Sequence, residues 1–424
     1  MRIELISTGD ELLSGDITDT NASWLAQQLT EHGFKLSYKT TVSDDLDELV
    51  DAFTQRSARA DFIIVNGGLG PTSDDLSADA AALALDEPMM LFKEWLEQMK
   101  IKFAAFGRPM TDNNLKQAIL PQSAQIVDNP VGTACGFKIT LNNAMLLFTP
   151  GVPREFKVMV KEQILPLLVD LNDEPPLVIE RFLCMGIGES ALAYLVGDLE
   201  LPAGCELGYR AAMPFIELKI FAKQQQSLAP LVKQVSEIVS KYCVVRQGNS
   251  LSKHVHQLLM EKSTLESSSF KFGTVESCTG GLIASSLVAY DGSSSYMDRG
   301  LVTYSNDAKK QLVGVSEQTL GTAGAVSIET AEQMAKGAVT QHQLDLAISV
   351  TGTAGPQGGS VGKPVGTVAF ALADKTHCYS QMLCLGDRGR ANTQQLAMAI
   401  ALDMVRRYLG QLDVIADYDA YKPF

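Results

Sequence analysis

The stretch Phe272-Gly-Thr-Val-Glu-Ser-Cys-Thr-Gly-Gly281, followed by Leu282-Ile-Ala-Ser-Ser-Leu-Val288, has the pattern of a buried strand, a tight turn and a helix. The turn carries Ser277 and Cys278, two side chains that can act as nucleophiles. It also lies at a helix N-terminus, where free backbone N–H groups stabilise developing negative charge. The pattern predicts an α/β fold with chemistry at a strand end. A turn that only caps the helix is the alternative interpretation.

The same alternation of strand and helix extends over most of the 424 residues. It predicts two three-layer α/β domains with mainly parallel or mixed sheets, joined by a small α+β unit. The predicted boundaries are 1–171, 177–246 and 250–412, with an acidic, proline-broken linker at 172–176. Ligands of such domains bind at the C-terminal ends of the strands.

Individual elements follow from the periodicity of the apolar residues. Strands are predicted at 2–8, 34–42, 61–66, 144–149, 216–222, 270–275, 300–305, 345–350, 366–373 and up to about residue 385. Helices are predicted at 21–32, 46–58, 76–85, 153–171, 228–242, 251–262, 282–288, 306–313, 328–341 and 391–409. The serine-rich run 263–269 is predicted to be a surface loop.

Composition narrows the class of protein. The formal charge of −14 and the pI near 4.9 argue against a non-specific nucleic-acid binder, which needs a basic surface. The sequence has no secretory signal pattern and no apolar run long enough for a membrane span. Its 7 cysteines are scattered and contain no C-x-x-C pair, so neither a disulfide framework nor a structural zinc site is indicated. We expect a cytoplasmic, reduced protein without membrane contact.

Four turns of the C-terminal region follow predicted strands and could line one crevice. Besides Ser277, they carry Tyr304 with Lys309, the glycine-rich loop 351–359, and the arginines at 388 and 390. A lysine in a crowded, partly apolar site loses its proton more readily and can then deprotonate a serine. Each of these residues, taken alone, is equally typical of a solvated surface or a simple turn.

Serine and lysine are the favoured catalytic pair. None of the 5 histidines falls at these turns, so a Ser–Lys pair is favoured over a Ser–His–Asp triad. Cys278 is the rival nucleophile, because thiolates are intrinsically better nucleophiles, but no histidine lies near it in sequence to activate it.

Several separated motifs resemble the CinA C-terminal domain, a family of nicotinamide mononucleotide (NMN) deamidases. They are Val275-Glu-Ser-Cys-Thr-Gly-Gly281, Val302-Thr-Tyr-Ser-Asn306 with Lys309, Ser349-Val-Thr-Gly352 and Lys363-Pro-Val-Gly-Thr367. The resemblance covers about residues 250–412. It implies hydrolysis of the nicotinamide carboxamide without a cofactor, and it makes Ser277 the nucleophile and Lys309 the general base, with Tyr304 nearby.

The same resemblance implies a substrate-binding surface around this pair. Arg390 is the candidate ligand of the 5′-phosphate. The remaining candidate substrate-binding residues of this domain are Glu276, Cys278, Thr279, Gly280, Gly281, Thr351 and Gly352.

The N-terminal region carries a second signature, Gly67-Gly-Leu-Gly-Pro-Thr-Ser-Asp-Asp75, directly after a predicted strand. Its glycines let the backbone approach a ligand, and its carboxylates can hold a hydrated divalent cation. Asp10-Glu11 and Asp44 follow two other strands, so these acids are expected to converge as a metal-dependent phosphoanhydride site requires. The alternative is that the glycines form turns and the aspartates cap helices.

These N-terminal motifs resemble the molybdopterin-binding MogA/MoeA family, and the order of motifs along the chain resembles full-length CinA proteins. The resemblance implies an ADP-ribose pyrophosphatase that uses Mg²⁺, Mn²⁺ or Co²⁺, and a homodimer. It favours Asp44 and Asp75 as catalytic and metal-binding acids. The implied phosphate-loop residues are Gly67, Gly68, Gly70 and Thr72.

The middle unit resembles the KH-like domain of CinA proteins. It lacks strongly basic surroundings, so a spacer or dimerisation module is favoured over RNA binding. The alternative function for the whole chain is a nucleotide-binding or molybdopterin-binding protein without turnover, with a role in competence or the DNA damage response.

Overall fold

The structure is a computed structural model that describes residues 1–171, 177–222, 228–248, 250–265 and 270–423. The described chain forms two units, Met1–Val178 and Ile179–Phe424. The predicted linker at 172–176 and the last part of the predicted loop, 266–269, lie outside the described residues.

The first unit alternates strands and helices in the predicted order. Its strands are β1 (Ile3–Thr8), β2 (Leu36–Val42), β3 (Phe62–Asn66), β4 (Met89–Leu91), β5 (Ile119–Pro121), β6 (Gln125–Val127), β7 (Gly136–Leu141) and β8 (Ala144–Thr149). Its helices are α1 (Asp10–Ser14), α2 (Thr20–Glu31), α3 (Leu46–Ser57), α4 (Ser77–Leu85), α5 (Lys93–Ala105), a 3₁₀ helix (Asp112–Ala118), α6 (Pro153–Met159), a π-helical segment (Val160–Ile164) and α7 (Leu165–Asp170).

A six-stranded mixed sheet in the order β2-β1-β3-β8-β7-β6 forms the middle layer of this unit. The first four strands are parallel, and β7 and β6 are added antiparallel. Strand β3 is buried on both faces: Ile63 and Val65 pack into one apolar core, and Phe62 and Ile64 pack into the other. This two-sided burial confirms the three-layer α/β architecture.

The second unit begins with a small α+β section and continues into a second α/β domain. Its strands are β9 (Val178–Cys184), β10 (Cys205–Ala212), β11 (Phe215–Ala222), β12 (Cys243–Arg246), β13 (Phe272–Glu276), β14 (Met297–Val302), β15 (Leu346–Gly352), β16 (Thr367–Asp374), β17 (Cys378–Cys384) and β18 (Lys422–Pro423). Its helices are α8 (Glu189–Val196), α9 (Leu228–Ile238), α10 (Leu251–Leu265), α11 (Leu282–Val288), a 3₁₀ turn (Ser293–Ser295), α12 (Asn306–Val313), α13 (Glu317–Thr322), α14 (Ile328–His342) and α15 (Arg390–Leu409).

The larger sheet of the second unit has the order β14-β13-β15-β16-β17-β18, of which the first three strands are parallel. Phe370 of β16 faces the core that is shared with α10, α11 and α15, whereas its neighbours Ala369 and Ala371 face α14. The alanines let α14 approach the sheet closely. This domain is therefore also three-layered.

The small sheet, β10-β11-β9-β12, contributes to the core of the second α/β domain. Leu183 of β9 and Val244 of β12 belong to the same apolar cluster as α10 and α15. The C-terminal segment also contacts this section, because Lys241 forms ion pairs with Asp417 and Asp419 at 3.0 and 2.6 Å. The predicted boundary between 246 and 250 stays a prediction.

Three predicted elements require correction. The strand predicted at 300–305 lies at Met297–Val302, because Ser305 instead caps α12 by accepting a hydrogen bond from Ala308 N–H. The helix predicted at 228–242 ends at Ile238, where a turn reverses the chain into β12. The first residues of the predicted loop 263–269 belong to α10, and Ser263 is buried there because its hydroxyl donates to the carbonyl of Ser295.

Two candidate active sites at strand ends

The C-terminal candidate site forms where three parallel strands end side by side. Glu276, the last residue of β13, is in register with Val302 of β14 and Val350 of β15. The pairing continues one residue further, since Ser277 N–H donates to the carbonyl of Val350 at 2.9 Å. Thr303 N–H likewise donates to the carbonyl of Glu276 at 2.8 Å. Ser277 is thus held at the carboxyl edge of the sheet, as the strand-end rule predicts.

Lys309 reaches Ser277 because of its position in α12. The residue lies in the first turn after the Ser305 cap, and side chains of an α-helix point back towards its N-terminus. Lys309 Nζ therefore lies 3.0 Å from Ser277 Oγ, 2.8 Å from the carbonyl oxygen of Thr303 and 3.4 Å from that of Tyr304. The structure brings the two residues of the predicted Ser–Lys pair together.

The surroundings of Lys309 suit a general base. The side chain is only 1% exposed, and its burial lowers the pKa of the amine below the usual value of 10.5. A neutral amine has two N–H groups for the two backbone carbonyls and one lone pair that can accept the Ser277 hydroxyl proton. Among the described residues, no carboxylate hydrogen bonds to Nζ and opposes its deprotonation.

Glu276 holds the turn in place through hydrogen bonds to its backbone. It is buried, and its carboxylate accepts hydrogen bonds from Gly281 N–H (3.0 Å), Ile283 N–H (3.1 Å) and Ala284 N–H (2.9 Å), and from the Thr274 hydroxyl (3.0 Å). These four bonds make Glu276 a structural anchor of the turn, and its predicted substrate-binding role stays a prediction.

The same carboxylate changes the expected source of anion stabilisation. It takes up N–H groups at the start of α11 that were expected to be free for a developing negative charge. Within the described turn, the backbone N–H groups of Cys278 and Thr279 are left without a backbone carbonyl partner. Gly281 adopts φ of +100°, a left-handed conformation that favours glycine, which lets the chain enter α11 directly after this turn.

Cys278 is unsuited to act as the nucleophile. Its side chain is 5% exposed and belongs to the apolar core on the α15 side of the sheet, and its carbonyl accepts a hydrogen bond from Gln394 at 2.8 Å. Burial raises the pKa of the thiol to about 12, so the reactive thiolate is disfavoured at neutral pH. The structure supports Ser277 over its neighbour.

Tyr304 and Arg390 meet at the rim of the site. Arg390, at the N-terminus of α15, donates to the Tyr304 hydroxyl at 2.9 Å and to the carbonyl of Gly355 at 3.2 Å. Tyr304 is 61% exposed, and among the described hydrogen bonds it is the backbone carbonyl of Tyr304, and not its hydroxyl, that contacts Lys309 Nζ, at 3.4 Å. This position fits substrate binding better than the predicted catalytic role.

The last two residues of β15, Thr351 and Gly352, are closely packed against neighbouring backbone. Thr351 is buried, and its hydroxyl donates to the carbonyl of Ala325 at 2.7 Å. The predicted substrate-binding role of Thr351 stays a prediction. Gly352 is the last residue of β15 and pairs with Val368, and a side chain there would meet the carbonyl oxygen of Thr367 at 2.8 Å.

The N-terminal candidate site is a crevice of about 440 Å³ at the carboxyl ends of β1, β3 and β8. Among the residues that line it are Gly67, Gly68, Gly70, Asp44, Asp74, Asp75, Glu11, Gln117 and Glu155. Gly67 adopts φ of +121°, and a side chain there would meet the carbonyl oxygen of Thr8 at 2.8 Å. Only glycine fits this close approach of the loop to β1.

Buried amides hold the neighbouring loops in place, and the sequence interpretation missed them. Asn66 donates to the carbonyl of Pro150 at 2.8 Å, and Asn21 donates to Asn66 Oδ1 at 3.0 Å and to the carbonyl of Gly151 at 2.8 Å. A polar residue at the end of an apolar strand was the available signal for Asn66. Asn21, on α2, offered no local signal.

The structure separates acids that line the crevice from acids that cap helices. Asp45 caps α3 by accepting from Asp47 N–H and Glu48 N–H, and this leaves Asp44 facing the crevice. Asp75 does not cap α4; its Oδ2 accepts hydrogen bonds from the Thr72 N–H (2.8 Å) and from the Thr72 hydroxyl, which closes the glycine-rich loop.

The acids of the crevice fit a hydrated divalent cation. Burial, with the negative charges of Asp10, Glu11 and Asp74, raises the pKa of Asp44, and a cation would relieve this repulsion. In the described residues, however, no three acidic, histidine or cysteine side chains converge closely enough to hold a metal ion by themselves. A cation bound between Asp44 and Asp75 would need water and phosphate oxygens to complete its shell, as Mg²⁺ commonly does.

The fold and the sites together define a protein with two α/β domains, each with a candidate site at its strand ends. One site is a buried Ser–Lys pair, and the other is a crevice lined by a glycine-rich loop and acidic side chains. Residues 251–409 match the model of the CinA C-terminal domain. Residues 4–170 match a model described as "Probable molybdopterin binding domain".

The chain belongs to the CinA family. It is 50% identical to a CinA-like protein of Shewanella woodyi and 49% identical to one of Shewanella loihica, in both cases over 100% of each chain. A solved structure of the competence/damage inducible protein CihA from Agrobacterium tumefaciens is 40% identical and covers 39% of this chain and 98% of that one, with a TM-score of 0.36. Within the described part of the chain, every helix is too short or too polar to span a bilayer.

Proposed function

We propose that the chain is a bifunctional hydrolase of pyridine-nucleotide salvage whose C-terminal domain deamidates NMN. The observation that carries this proposal is the 3.0 Å contact between Lys309 Nζ and Ser277 Oγ in a site that buries the amine. A desolvated amine next to a hydroxyl is the pairing that Ser–Lys acyl transfer requires.

The proposed reaction runs through an acyl-enzyme. Lys309 takes the Ser277 proton while Oγ attacks the carboxamide carbon, and the N–H groups of Cys278 and Thr279 are the candidate donors to the oxyanion. Lys309 then returns the proton to the leaving nitrogen, which departs as ammonia. Water, deprotonated by the same amine, hydrolyses the ester and releases nicotinate mononucleotide. Arg390 is placed at the rim, where a guanidinium can hold the 5′-phosphate.

The test is ammonia release from NMN by the full-length protein and by Ser277→Ala. We expect turnover by the wild type and a loss of at least about 10³-fold in the variant. Cys278→Ala, a substitution of the adjacent residue, serves as the matched control, and its rate of ammonia release should stay within about 10-fold of the wild type. Full activity of Ser277→Ala would eliminate the nucleophile, and absence of ammonia from the wild type would eliminate the amidase.

For the N-terminal domain we propose hydrolysis of the phosphoanhydride bond of ADP-ribose. The supporting observation is the juxtaposition of the glycine loop with Asp44 and Asp75 in one crevice. A divalent cation bound there would neutralise phosphate charge and lower the pKa of a coordinated water. The loop N–H groups and the Thr72–Asp75 hydrogen bonds would fix the position of the diphosphate.

The measurement is AMP formation from ADP-ribose with Mg²⁺, Mn²⁺ or Co²⁺. Calorimetric binding of ADP-ribose without AMP under all three metals would favour the alternative, a nucleotide-binding or molybdopterin-binding protein without turnover. The expected cytoplasmic location, homodimer and absence of a nucleic-acid partner stay predictions.

A further inference from the structure

Two cysteines lie directly opposite each other in the small sheet of the second unit. Cys184 is the last residue of β9 and Cys243 is the first residue of β12, and the antiparallel register of the two strands pairs them. Directly opposed residues of paired strands have their side chains on the same face. The Cys184 thiol donates to the carbonyl of Phe182 at 4.0 Å, and the Cys243 thiol donates to the carbonyl of Val245 at 3.4 Å.

The register places this pair in the closer of the two antiparallel arrangements. Met185 N–H donates to the carbonyl of Tyr242 at 2.9 Å, so the adjacent pair, Cys184 and Cys243, occupies a non-hydrogen-bonded position. Such positions have Cα atoms about 4.5 Å apart, which lies within the roughly 4.4–6.8 Å that a disulfide spans. The pairing becomes irregular only beyond the cysteine pair, between Cys243 and Val245.

The two thiols differ in their surroundings. Cys184 is fully buried, whereas Cys243 is only partly buried. The neighbouring Cys184 thiol, with the positive charges of Arg406 and Arg246, lowers the pKa of Cys243, although burial opposes this. These surroundings favour a thiolate at Cys243 and a thiol at Cys184, which is the usual division between an attacking and a resolving cysteine.

We propose that Cys184 and Cys243 form a reversible disulfide when the protein meets a peroxide. The Cys243 thiolate attacks a peroxide oxygen; the S–O bond forms, the O–O bond breaks, and the other oxygen leaves as hydroxide or alkoxide, which takes a proton from water. Cys243 is then a sulfenic acid, oxidised by two electrons. The Cys184 sulfur, after losing its proton to water, attacks the Cys243 sulfur; the S–S bond forms, and the departing hydroxide is protonated to water. A dithiol reductant reverses the bond by exchange.

The position of the pair gives the oxidation a structural consequence. Strand β12 leads into α10 of the catalytic-type domain, and its Val244 packs in the core that also contains Cys278. Arg406, next to Cys243, belongs to α15, whose first residue is Arg390. A disulfide between β9 and β12 would link these two strands covalently, at the part of the small sheet that packs against the core of the second α/β domain.

The test uses the full-length protein treated with hydrogen peroxide under native conditions, blocked with N-ethylmaleimide after denaturation, digested and analysed by mass spectrometry. We expect a peptide pair cross-linked through Cys184 and Cys243, the loss of two of the 7 free thiols, and recovery of both with dithiothreitol. Retention of all 7 thiols, or a cross-link that joins other cysteines, would overturn the proposal.

Two variants distinguish this pair from the remaining cysteines. Cys243→Ser should abolish the loss of thiols, and Cys384→Ser, a partly buried cysteine on β17, should leave the cross-link unchanged. Persistence of the two-thiol loss in Cys243→Ser would contradict the assignment. Should Cys243→Ser fold poorly, the wild-type cross-link map decides the question alone.

Discussion

The two candidate sites lie at equivalent places, the carboxyl ends of parallel strands, but they differ in their relation to water. The C-terminal pair is nearly dry, since Lys309 is 1% exposed and Ser277 8% exposed. The N-terminal crevice is lined by partly or fully exposed acids, such as Asp44 and Asp74. This difference in exposure to water determines which kind of catalyst each strand end can support.

Burial is useful where the catalyst must be neutral. Removing water disfavours the ammonium form of Lys309, whereas in the crevice burial and the neighbouring acids raise the pKa of Asp44, a repulsion that a bound cation would relieve. Ionised, hydrated carboxylates suit a cation that retains part of its water shell. The same strand–turn–helix element therefore carries a buried amine and hydroxyl in one domain and partly exposed carboxylates in the other.

The largest expected effect is that of Lys309→Met, which removes the amine but keeps an unbranched apolar chain. We expect ammonia release from NMN to fall by about 10³-fold, because no other base contacts Ser277 Oγ among its described partners. ADP-ribose cleavage, measured on the same preparation, should be unchanged. Normal deamidation by Lys309→Met would remove the contrast between the two sites.

The next prediction concerns pH and compares the wild type with Lys309→Met. Because burial lowers the pKa of Lys309, wild-type kcat/KM should rise with pH and reach its plateau below 10.5. Between the folded-state pKa and 10.5 the unfolded chain holds more protons than the folded one, so this residue makes the free energy of unfolding rise with pH in that window. Lys309→Met should lack this rise. If the free energy of unfolding of Lys309→Met depended on pH as that of the wild type does, Lys309 would not be the titrating base.

Next in size is the effect of Asp44→Asn, compared with Asp45→Asn. The neighbours differ in role, since Asp44 faces the crevice and Asp45 caps α3. We expect about 10²-fold slower AMP formation from ADP-ribose for Asp44→Asn. Asp45→Asn should change the rate by less than about threefold, because asparagine also caps helices. Equal effects of the two substitutions would refute the metal-site assignment.

A smaller effect is expected for Glu276→Gln, measured as stability. Glutamine keeps one acceptor oxygen and turns an NH₂ group towards backbone N–H donors, so the free energy of unfolding should fall by about 2 kcal/mol. Urea unfolding of the full chain measures this. Glu329→Gln, an exposed first-turn residue of α14, is the control and should stay within about 0.5 kcal/mol. A Glu276→Gln protein as stable as the control would contradict the capping role.

The smallest effect is expected for Tyr304→Phe, which removes the hydrogen bond to Arg390. We expect KM for NMN to rise about fivefold with kcat nearly unchanged, since one hydrogen bond to a charged group at an exposed rim is worth about 1 kcal/mol. Tyr194→Phe, far more exposed on α8, is the control. A fall in kcat of about 10²-fold would return Tyr304 to a catalytic role.

Much of this organisation could be predicted from the sequence because its causes are local. Helices 282–288 and 306–313 begin and end where predicted, and their apolar periodicity and glycine or serine boundaries are short-range signals. The position of Lys309 opposite Ser277 was expected, because parallel strands end at one edge of a sheet. The register of β13 with β14 and β15 provides the contact itself.

Other features depend on neighbours distant in the chain and could not be predicted. The sequence by itself determined the alternation of strands and helices, the acidic balance, the family and the candidate turns. Only the tertiary structure decided that Glu276 caps α11 and that burial disfavours the thiolate of Cys278. It also decided that Asp44 and not Asp45 faces the crevice. The pairing of Cys184 with Cys243 likewise appears only in the folded chain. Each of these depends on burial or strand register, which arise only when distant segments pack together.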